Sequence, residues 1–211
     1  MWSRERRLAG LARQLGRPEG IRGRRVGREL NRSNRATVTA AVAATGLQQG
    51  QVGADIGFGG GLGLALLRGR VGPGGRVHGV ELSTTMLSAA RRRYDRDVTA
   101  GRMTLTSGRL EALPVEDSQI DGLITINTLY FVENVGAVFR ELARVLRPAG
   151  SAVIGVGDPA AMAEMPVTAH GFRVRPPDEI VAGLRDAGLD VRHERARAGE
   201  RAPHLLIATR V

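Results

Sequence analysis

Several residue types are absent or scarce in this 211-residue chain, and each absence narrows its function. Without cysteine there can be no disulfide, no thiolate metal site and no cysteine nucleophile. No apolar run approaches the roughly 20 residues that span a bilayer, and the basic N-terminus lacks the apolar stretch of a secretory signal. Aromatic residues make up only 3% of the chain, which counts against a nucleic-acid partner because bases stack on such rings. We expect a cytoplasmic protein.

Positive charge is concentrated at the N-terminus. Residues 1–35 contain eleven arginines and three glutamates, a net charge of +8, whereas the whole chain carries +10. Every basic residue is arginine, since lysine is absent, so part of this charge reflects a compositional bias. Leu8, Leu11 and Leu15 recur at helical spacing and predict one amphipathic helix, and a second is predicted over residues 24–45. We therefore predict a basic helical arm or lid at residues 1–45 and a separate domain at residues 46–211.

A glycine-rich turn follows the first predicted strand, residues 52–56. Asp55 lies at the end of this strand, and an alternating run of glycines leads into a helix. Such a turn presents backbone N–H groups to a ligand, and glycine allows the ligand to approach closely. The spacing D-x-G-x-G-x-G does not fit the G-x-G-x-x-G of dinucleotide-binding turns. It resembles the first motif of the class I S-adenosylmethionine-dependent methyltransferases.

Three later segments occur in the order found in one branch of that family. They are Leu113-Pro114, the strand start at 121–124 (D-G-L-I) and the turn at 145–150 (V-L-R-P-A-G). They resemble the small-molecule group that includes the ubiquinone/menaquinone-biosynthesis methyltransferases. The resemblance implies an α/β, Rossmann-like methyltransferase fold. Its sheet would be seven-stranded and mostly parallel, in the order 3-2-1-4-5-7-6, with helices on both faces and an N-terminal helical arm.

The resemblance also implies a cofactor, S-adenosyl-L-methionine, which leaves as S-adenosyl-L-homocysteine. The implied cofactor-binding residues are Asp55, Gly57, Phe58, Gly59, Gly61, Glu81, Leu82, Leu110 and Asn127. Asp55 and the glycines would hold the methionine end, and Glu81, at the end of the second strand, would accept the ribose hydroxyls. Arg109 stands where the group usually has an aspartate for the adenine amine. Because a guanidinium accepts no hydrogen bond, backbone groups near Leu110 would take that role.

The acceptor side is expected beyond the fourth strand. The catalytic candidates are Asn127, Tyr130 and His170, and no metal is expected. Asn127 to Tyr130 is similar to the N-P-P-Y signature of amino-group methyltransferases but lacks both prolines. A general base would assist an oxygen or carbon acceptor, and Tyr130, Glu133 and His170 are its candidates.

The predicted function is methyl transfer from S-adenosylmethionine to an O, N or C nucleophile of a small or lipid-like acceptor. Two alternatives are an RNA- or DNA-binding methyltransferase that uses the arginine-rich arm and a non-catalytic S-adenosylmethionine-binding protein. The arm can be read as a lid, as a peripheral membrane contact or as the arm of a homodimer. The lid hypothesis predicts that Asn31 and Asn34 approach the cofactor or acceptor pocket.

Overall fold

The computed structural model describes residues 2–211, with side chains from residue 4 onward. The helices are α1 (Trp2–Gly16), α2 (Gly20–Ser33), α3 (Arg35–Ala44), α4 (Leu62–Val71), α5 (Thr84–Arg93), α6 (Asp95–Thr99), α7 (Val135–Val145), α8 (Pro159–Ala163) and α9 (Pro177–Asp186). The strands are β1 (Val52–Ile56), β2 (Arg76–Glu81), β3 (Met103–Ser107), β4 (Ile120–Ile126), β5 (Leu146–Val156), β6 (Leu189–Arg195) and β7 (His204–Arg210). Two short 3-10 turns cover Leu129–Phe131 and Pro166–Ala169.

The strands form one sheet in the order β3-β2-β1-β4-β5-β7-β6. Strands β1 to β5 pair in parallel, and β7 runs antiparallel to both of its neighbours, β5 and β6. The predicted fold class and strand order are therefore confirmed. Because the strand order reverses direction at β1, the carboxyl ends of β1, β2 and β4 meet at the edge where ligands bind in such sheets.

Two apolar layers enclose this sheet. Helices α3, α4 and α5 contribute buried side chains to one face, and α7 and α9 contribute them to the other. Side chains alternate between the two faces along each strand, so Ala54 and Ile56 lie on the α7 side while Asp55 lies under α4. This alternation brings the Asp55 carboxylate beneath the N-terminus of α4.

The arm differs from its predicted form. A single helix over residues 24–45 is wrong, because the chain breaks at Asn34 (φ −92°, ψ 2°) into α2 and α3. Helix α3 buries Val38, Ala41 and Val42 against the sheet, and this packing sets its direction apart from that of α2. The predicted boundary between the arm and the domain at residue 45 stays a prediction. The first residue of the predicted arm, Met1, lies outside the described residues. Within residues 2–211 no helix is both long enough and apolar enough to cross a bilayer.

Candidate active site

Asp55 is a buried acid at the carboxyl end of the central strand. Its side chain is 4% exposed, and it has no ion pair with any described cation. The backbone N–H of Leu64, in the first turn of α4, donates to it, and a Cβ on residue 63 would lie 2.2 Å from its Oδ2 atom. The carboxylate fits only because residue 63 is glycine. Burial, and then the negative charge of Glu81, raise the pKa of Asp55 to about 8, against the effect of the Leu64 hydrogen bond.

Glu81 supplies the second buried acid, at the end of β2. It is 6% exposed, and burial raises its pKa even though backbone N–H groups bind the carboxylate. Gly59 N donates to Oε2 and Ser83 N donates to Oε1, both at 2.8 Å. Each carboxylate oxygen has lone pairs left for a further donor. We call these two acids the acidic floor of the predicted cofactor site, and neither forms an ion pair with a described cation. With a pKa of about 8, Asp55 is largely protonated at neutral pH until a positive charge binds beside it.

The glycine turn between β1 and α4 contains three residues in left-handed backbone conformations. Gly57, Gly59 and Gly61 have φ values of 75°, 48° and 77°, which side chains strongly disfavour. A Cβ on Gly57 would also lie 2.5 Å from Cγ2 of Thr128, which follows β4. The predicted glycines therefore bring backbone, not side chains, to the edge of the sheet.

Helix α2 of the arm lies directly on this turn. Nδ2 of Asn31 donates to the carbonyl oxygen of Gly60 at 2.8 Å. A Cβ on Gly60 would lie 2.3 Å from both Oδ1 of Asn31 and the carbonyl oxygen of Gly27. Gly60 lacks the positive φ of the other turn glycines, so the close approach of α2 is what requires glycine there.

Two further contacts fasten the connection between α1 and α2 to the start of α5. The hydroxyl of Ser83, which also caps α5 by accepting from Met86 N, donates to the carbonyl oxygen of Pro18. Gly20 N donates to Oγ1 of Thr85 at 3.0 Å. Because Ser83 also binds Glu81 through its backbone, the arm is held beside the acidic floor. A cavity of about 220 Å³ remains between α2, the glycine turn and α5.

A chain of hydrogen bonds joins the arm to the loop after β4. The Tyr130 hydroxyl accepts from Gly157 N and donates to Oδ1 of Asn127 at 3.3 Å. Nδ2 of Asn127 in turn donates to Oδ1 of Asn34 at 3.3 Å. The contacts of Asn31 and Asn34 with the site are therefore as the lid hypothesis predicted. Asn127 has a φ of 58°, a conformation that asparagine tolerates better than most residues.

Three aromatic rings cluster beside this chain. Ring centroids of Phe131 and Phe172 are 4.8 Å apart, and those of Tyr130 and Phe172 are 5.6 Å apart. We call Tyr130, Phe131 and Phe172 the aromatic wall. Gly16, the last residue of α1, packs against the Phe131 ring. Burial raises the pKa of Tyr130 to about 12, partly offset by the Gly157 N–H, so its hydroxyl stays protonated at neutral pH.

The other two base candidates lie at the rim of the wall. His170 follows the turn Pro166–Ala169 and precedes Phe172 by two residues; among the described residues its ring has no hydrogen-bond partner. The Glu133 side chain is 87% exposed and pairs with Arg173 at 3.2 Å. Neither side chain contacts Asn127 or Tyr130 in the described part of the chain.

The remaining predicted cofactor residues lie around the turn and the ends of β2 and β3. Phe58 is in the glycine turn, but its side chain is buried against Gly79, which leaves its backbone for a ligand. Leu82 is exposed beyond β2, and Leu110 is half-buried against the core. Arg109 is exposed and pairs with Glu111. No cluster of three or more metal-ligating side chains occurs among residues 2–211 as described.

Sequence reasoning missed Phe131 and Phe172 of the aromatic wall, and it also missed Tyr94 and Arg175. Tyr94 lies between α5 and α6, and its hydroxyl donates to the carbonyl oxygen of Gly61 at 3.2 Å. Arg175 donates to the carbonyl oxygens of Leu129 and Val132 and so clamps the loop after β4. Neither belongs to a motif, and no periodicity marks them, because their partners are distant backbone oxygens.

Comparison with known proteins places these features in a family. Residues 54–154 match the family described as "Methyltransferase domain". An uncharacterized 37.1 kDa protein in a transposon of Streptomyces fradiae is 38% identical over 109 residues, which are 52% of this chain and 31% of that protein. The 2-phytyl-1,4-naphtoquinone methyltransferase of Trichormus variabilis is 33% identical over 115 residues, 54% of this chain and 50% of that enzyme. The chain thus spans at most about half the length of these relatives.

A solved structure agrees over a larger part of the chain. The geranyl diphosphate C-methyltransferase of Streptomyces coelicolor superposes with a TM-score of 0.70 at 18% identity, covering 94% of this chain and 85% of that one. At this identity the likeness shows the fold. The predicted recognition is confirmed to this extent: residues 54–154 match a methyltransferase domain, and superposition on the solved structure shows the predicted fold. The family match supports the predicted enzyme class and cofactor.

Replacing Asp55 with asparagine should stabilise the protein in a pH-dependent way. Because the pKa of the folded state, about 8, lies above the usual 3.8, Asp55 lowers the free energy of unfolding as pH rises from about 4 to 8. Asp55→Asn should therefore raise Tm at pH 9, and the gain should vanish near pH 4. Thermal unfolding across this range measures it. The control is Asp190→Asn, at an exposed position of β6; a Tm gain that did not depend on pH would contradict the assignment.

Replacing Gly60 with alanine should displace α2 from the glycine turn, because the new Cβ would overlap Gly27 and Asn31. We expect faster tryptic cleavage at the arginines of α2. The matched control is Gly69→Ala, at an exposed position of α4 with no atom within 4 Å of the new Cβ. In a protein lacking residues 1–33, Gly60→Ala should no longer change the rate of tryptic cleavage. Equal cleavage of both full-length variants would show that α2 does not depend on this contact.

Proposed function

We propose that this chain, which carries a methyltransferase domain at residues 54–154, transfers a methyl group from S-adenosylmethionine to an O, N or C nucleophile of a small, lipid-like acceptor. The observation that carries the proposal is the buried acidic floor, where a bound positive charge would lower the raised pKa of Asp55. Asp55 and Glu81 lie on adjacent strand ends and have no described cation beside them. A ligand that brings positive charge and hydroxyl donors matches this floor.

The residues present fit the cofactor. Asp55 would face its positive charge, the backbone of Gly57, Gly59 and Gly61 would surround the methionine end, and Glu81 would accept the ribose hydroxyls. Phe58, Leu82 and the backbone at Leu110 would complete the adenosine end. When bound, S-adenosylmethionine supplies a methyl group on a sulfonium sulfur that leaves readily.

The acceptor would lie against the aromatic wall. Tyr130, Phe131 and Phe172 offer apolar ring surface, and the end of α1 covers Phe131. Such a surface excludes water and favours a lipid-like molecule. The relative from Trichormus variabilis, whose name specifies a phytyl naphthoquinone, supports an acceptor of this class.

The roles of the three catalytic candidates follow from their surroundings. With a pKa of about 12, the Tyr130 hydroxyl acts as a hydrogen-bond donor that orients Asn127. Asn127 then holds the acceptor or the cofactor through its amide. Where the acceptor must lose a proton, His170 is the better base, because its ring has no competing partner among the described residues and Glu133 already pairs with Arg173.

The arm would act as the lid of this site. With α2 on Gly60 and the connection before it held at the start of α5, the arm would limit access to the glycine turn, and its movement would admit a ligand there. Closing again would remove water from the transfer site. The homodimer and the cytoplasmic location remain predictions.

Cofactor binding can be tested by calorimetry without an acceptor. S-adenosylhomocysteine should bind and NAD should not. Glu81→Ala should weaken binding by about 1–3 kcal/mol through lost ribose hydrogen bonds, whereas Glu200→Ala, at an exposed position, should leave it unchanged. NAD binding without a response to S-adenosylhomocysteine would refute the assignment.

The acceptor class can be tested with S-adenosylmethionine labelled in its methyl group. The protein is incubated with a cell extract, which is then separated into lipid, RNA and small-metabolite fractions. We expect protein-dependent label in the lipid or apolar metabolite fraction. Label in RNA would favour the nucleic-acid alternative, and tight cofactor binding with no label in any fraction would favour the non-catalytic one.

A further inference from the structure

A basic groove runs between α1 and α2 on the outer side of the arm. It has a volume of about 470 Å³, and four arginines line it: Arg6, Arg7, Arg13 and Arg22. No acidic residue is among its lining residues, and Arg7, Arg13 and Arg22 have no ion pair within the described part of the chain. Val26 adds apolar surface to the groove, and Leu11, which is partly exposed, adds it at the rim. The groove therefore combines unneutralised positive charge with hydrocarbon surface.

Exposed apolar side chains occur on the arm and next to it. Ile21 is 65% exposed and Leu11 44%, and Ile21 directly precedes a groove arginine. Phe131, against which Gly16 packs, and Met165, at the start of the turn that α1 contacts, are exposed as well. Four of the seven exposed large hydrophobic residues found among the described residues thus belong to the arm or border it. Exposed apolar side chains that gather in one region are typical of a surface that binds a partner or a membrane.

This pairing of arginine with exposed aliphatic side chains selects a bilayer over a nucleic acid. A nucleic acid offers phosphates, but the bases of a single strand would need rings for stacking, and the described residues that line the groove include no aromatic one. An anionic bilayer offers phosphates above hydrocarbon, so arginine head groups can meet phosphate while Ile21 and Leu11 enter the interface.

We propose that the groove between α1 and α2, with Ile21 and Leu11 at its rim, docks on the phosphate surface of an anionic lipid bilayer. The end of α1 packs on Phe131, so docking would turn the aromatic wall toward the membrane. This docking uses the groove of the arm and does not depend on methyl transfer.

Vesicle flotation with the full chain tests this proposal. The probes are vesicles of phosphatidylcholine alone and vesicles with about one-third phosphatidylglycerol. We expect binding to the anionic vesicles only, weakening as salt rises. The triple variant Arg7→Gln, Arg13→Gln, Arg22→Gln should lose on the order of 100-fold in affinity, from the energy typical of each basic residue near an anionic surface. Ile21→Ser should weaken binding and leave its salt dependence in place.

The matched control removes equal charge elsewhere. Arg92, Arg96 and Arg197 are exposed, lie outside the arm and are changed together to glutamine; this variant should keep at least a third of the vesicle affinity. Tm and the affinity for S-adenosylhomocysteine should be unchanged in both triple variants, which separates this proposal from the proposed function. Equal loss in both triples, binding to neutral vesicles alone, or tighter binding to a single-stranded RNA than to anionic vesicles would overturn it.

Discussion

The burial of an uncompensated carboxylate at the end of the central strand governs the carboxyl edge of this sheet. Asp55 can occupy its position only because residue 63 has no side chain and because the first turn of α4 donates an N–H to it. Even so, burial and the charge of Glu81 keep its pKa near 8. A group held at such a cost in stability is typical of a binding site, where a ligand supplies the missing charge.

The arm packs against the same edge of the sheet. Its second helix approaches the turn so closely that Gly60 cannot carry a Cβ, and Ser83 links the α1–α2 connection to the backbone that holds Glu81. Under the proposed lid role, opening the arm would break contacts at both the glycine turn and Ser83. The outer face of the same arm is basic and apolar, so one element can both cover the cofactor site and orient the acceptor side toward a lipid surface.

Much of the domain could be predicted from the chain. The apolar run around Val52–Ile56 was sufficient to place β1, because buried parallel strands are rich in apolar residues. The strand order followed from the family resemblance, which rests on the glycine spacing and the order of the later motifs. The acids Asp55 and Glu81 could be placed at strand ends for the same reason. The placement of Asn31 and Asn34 at the site followed from the amphipathic character of the arm.

Only the tertiary structure decided the rest. The boundary between α2 and α3 lies at Asn34, and α3 beyond it packs on the sheet. Folding also brings Tyr94 to the carbonyl oxygen of Gly61 and Arg175 to the loop after β4. Burial in the folded protein raises the pKa of Asp55 to about 8. None of these has a local signature. Sequence determines which backbone segments are strands and which glycines can take positive φ, since both depend on local sterics. Burial, electrostatic coupling and hydrogen bonds to distant carbonyls depend on the neighbours that folding supplies.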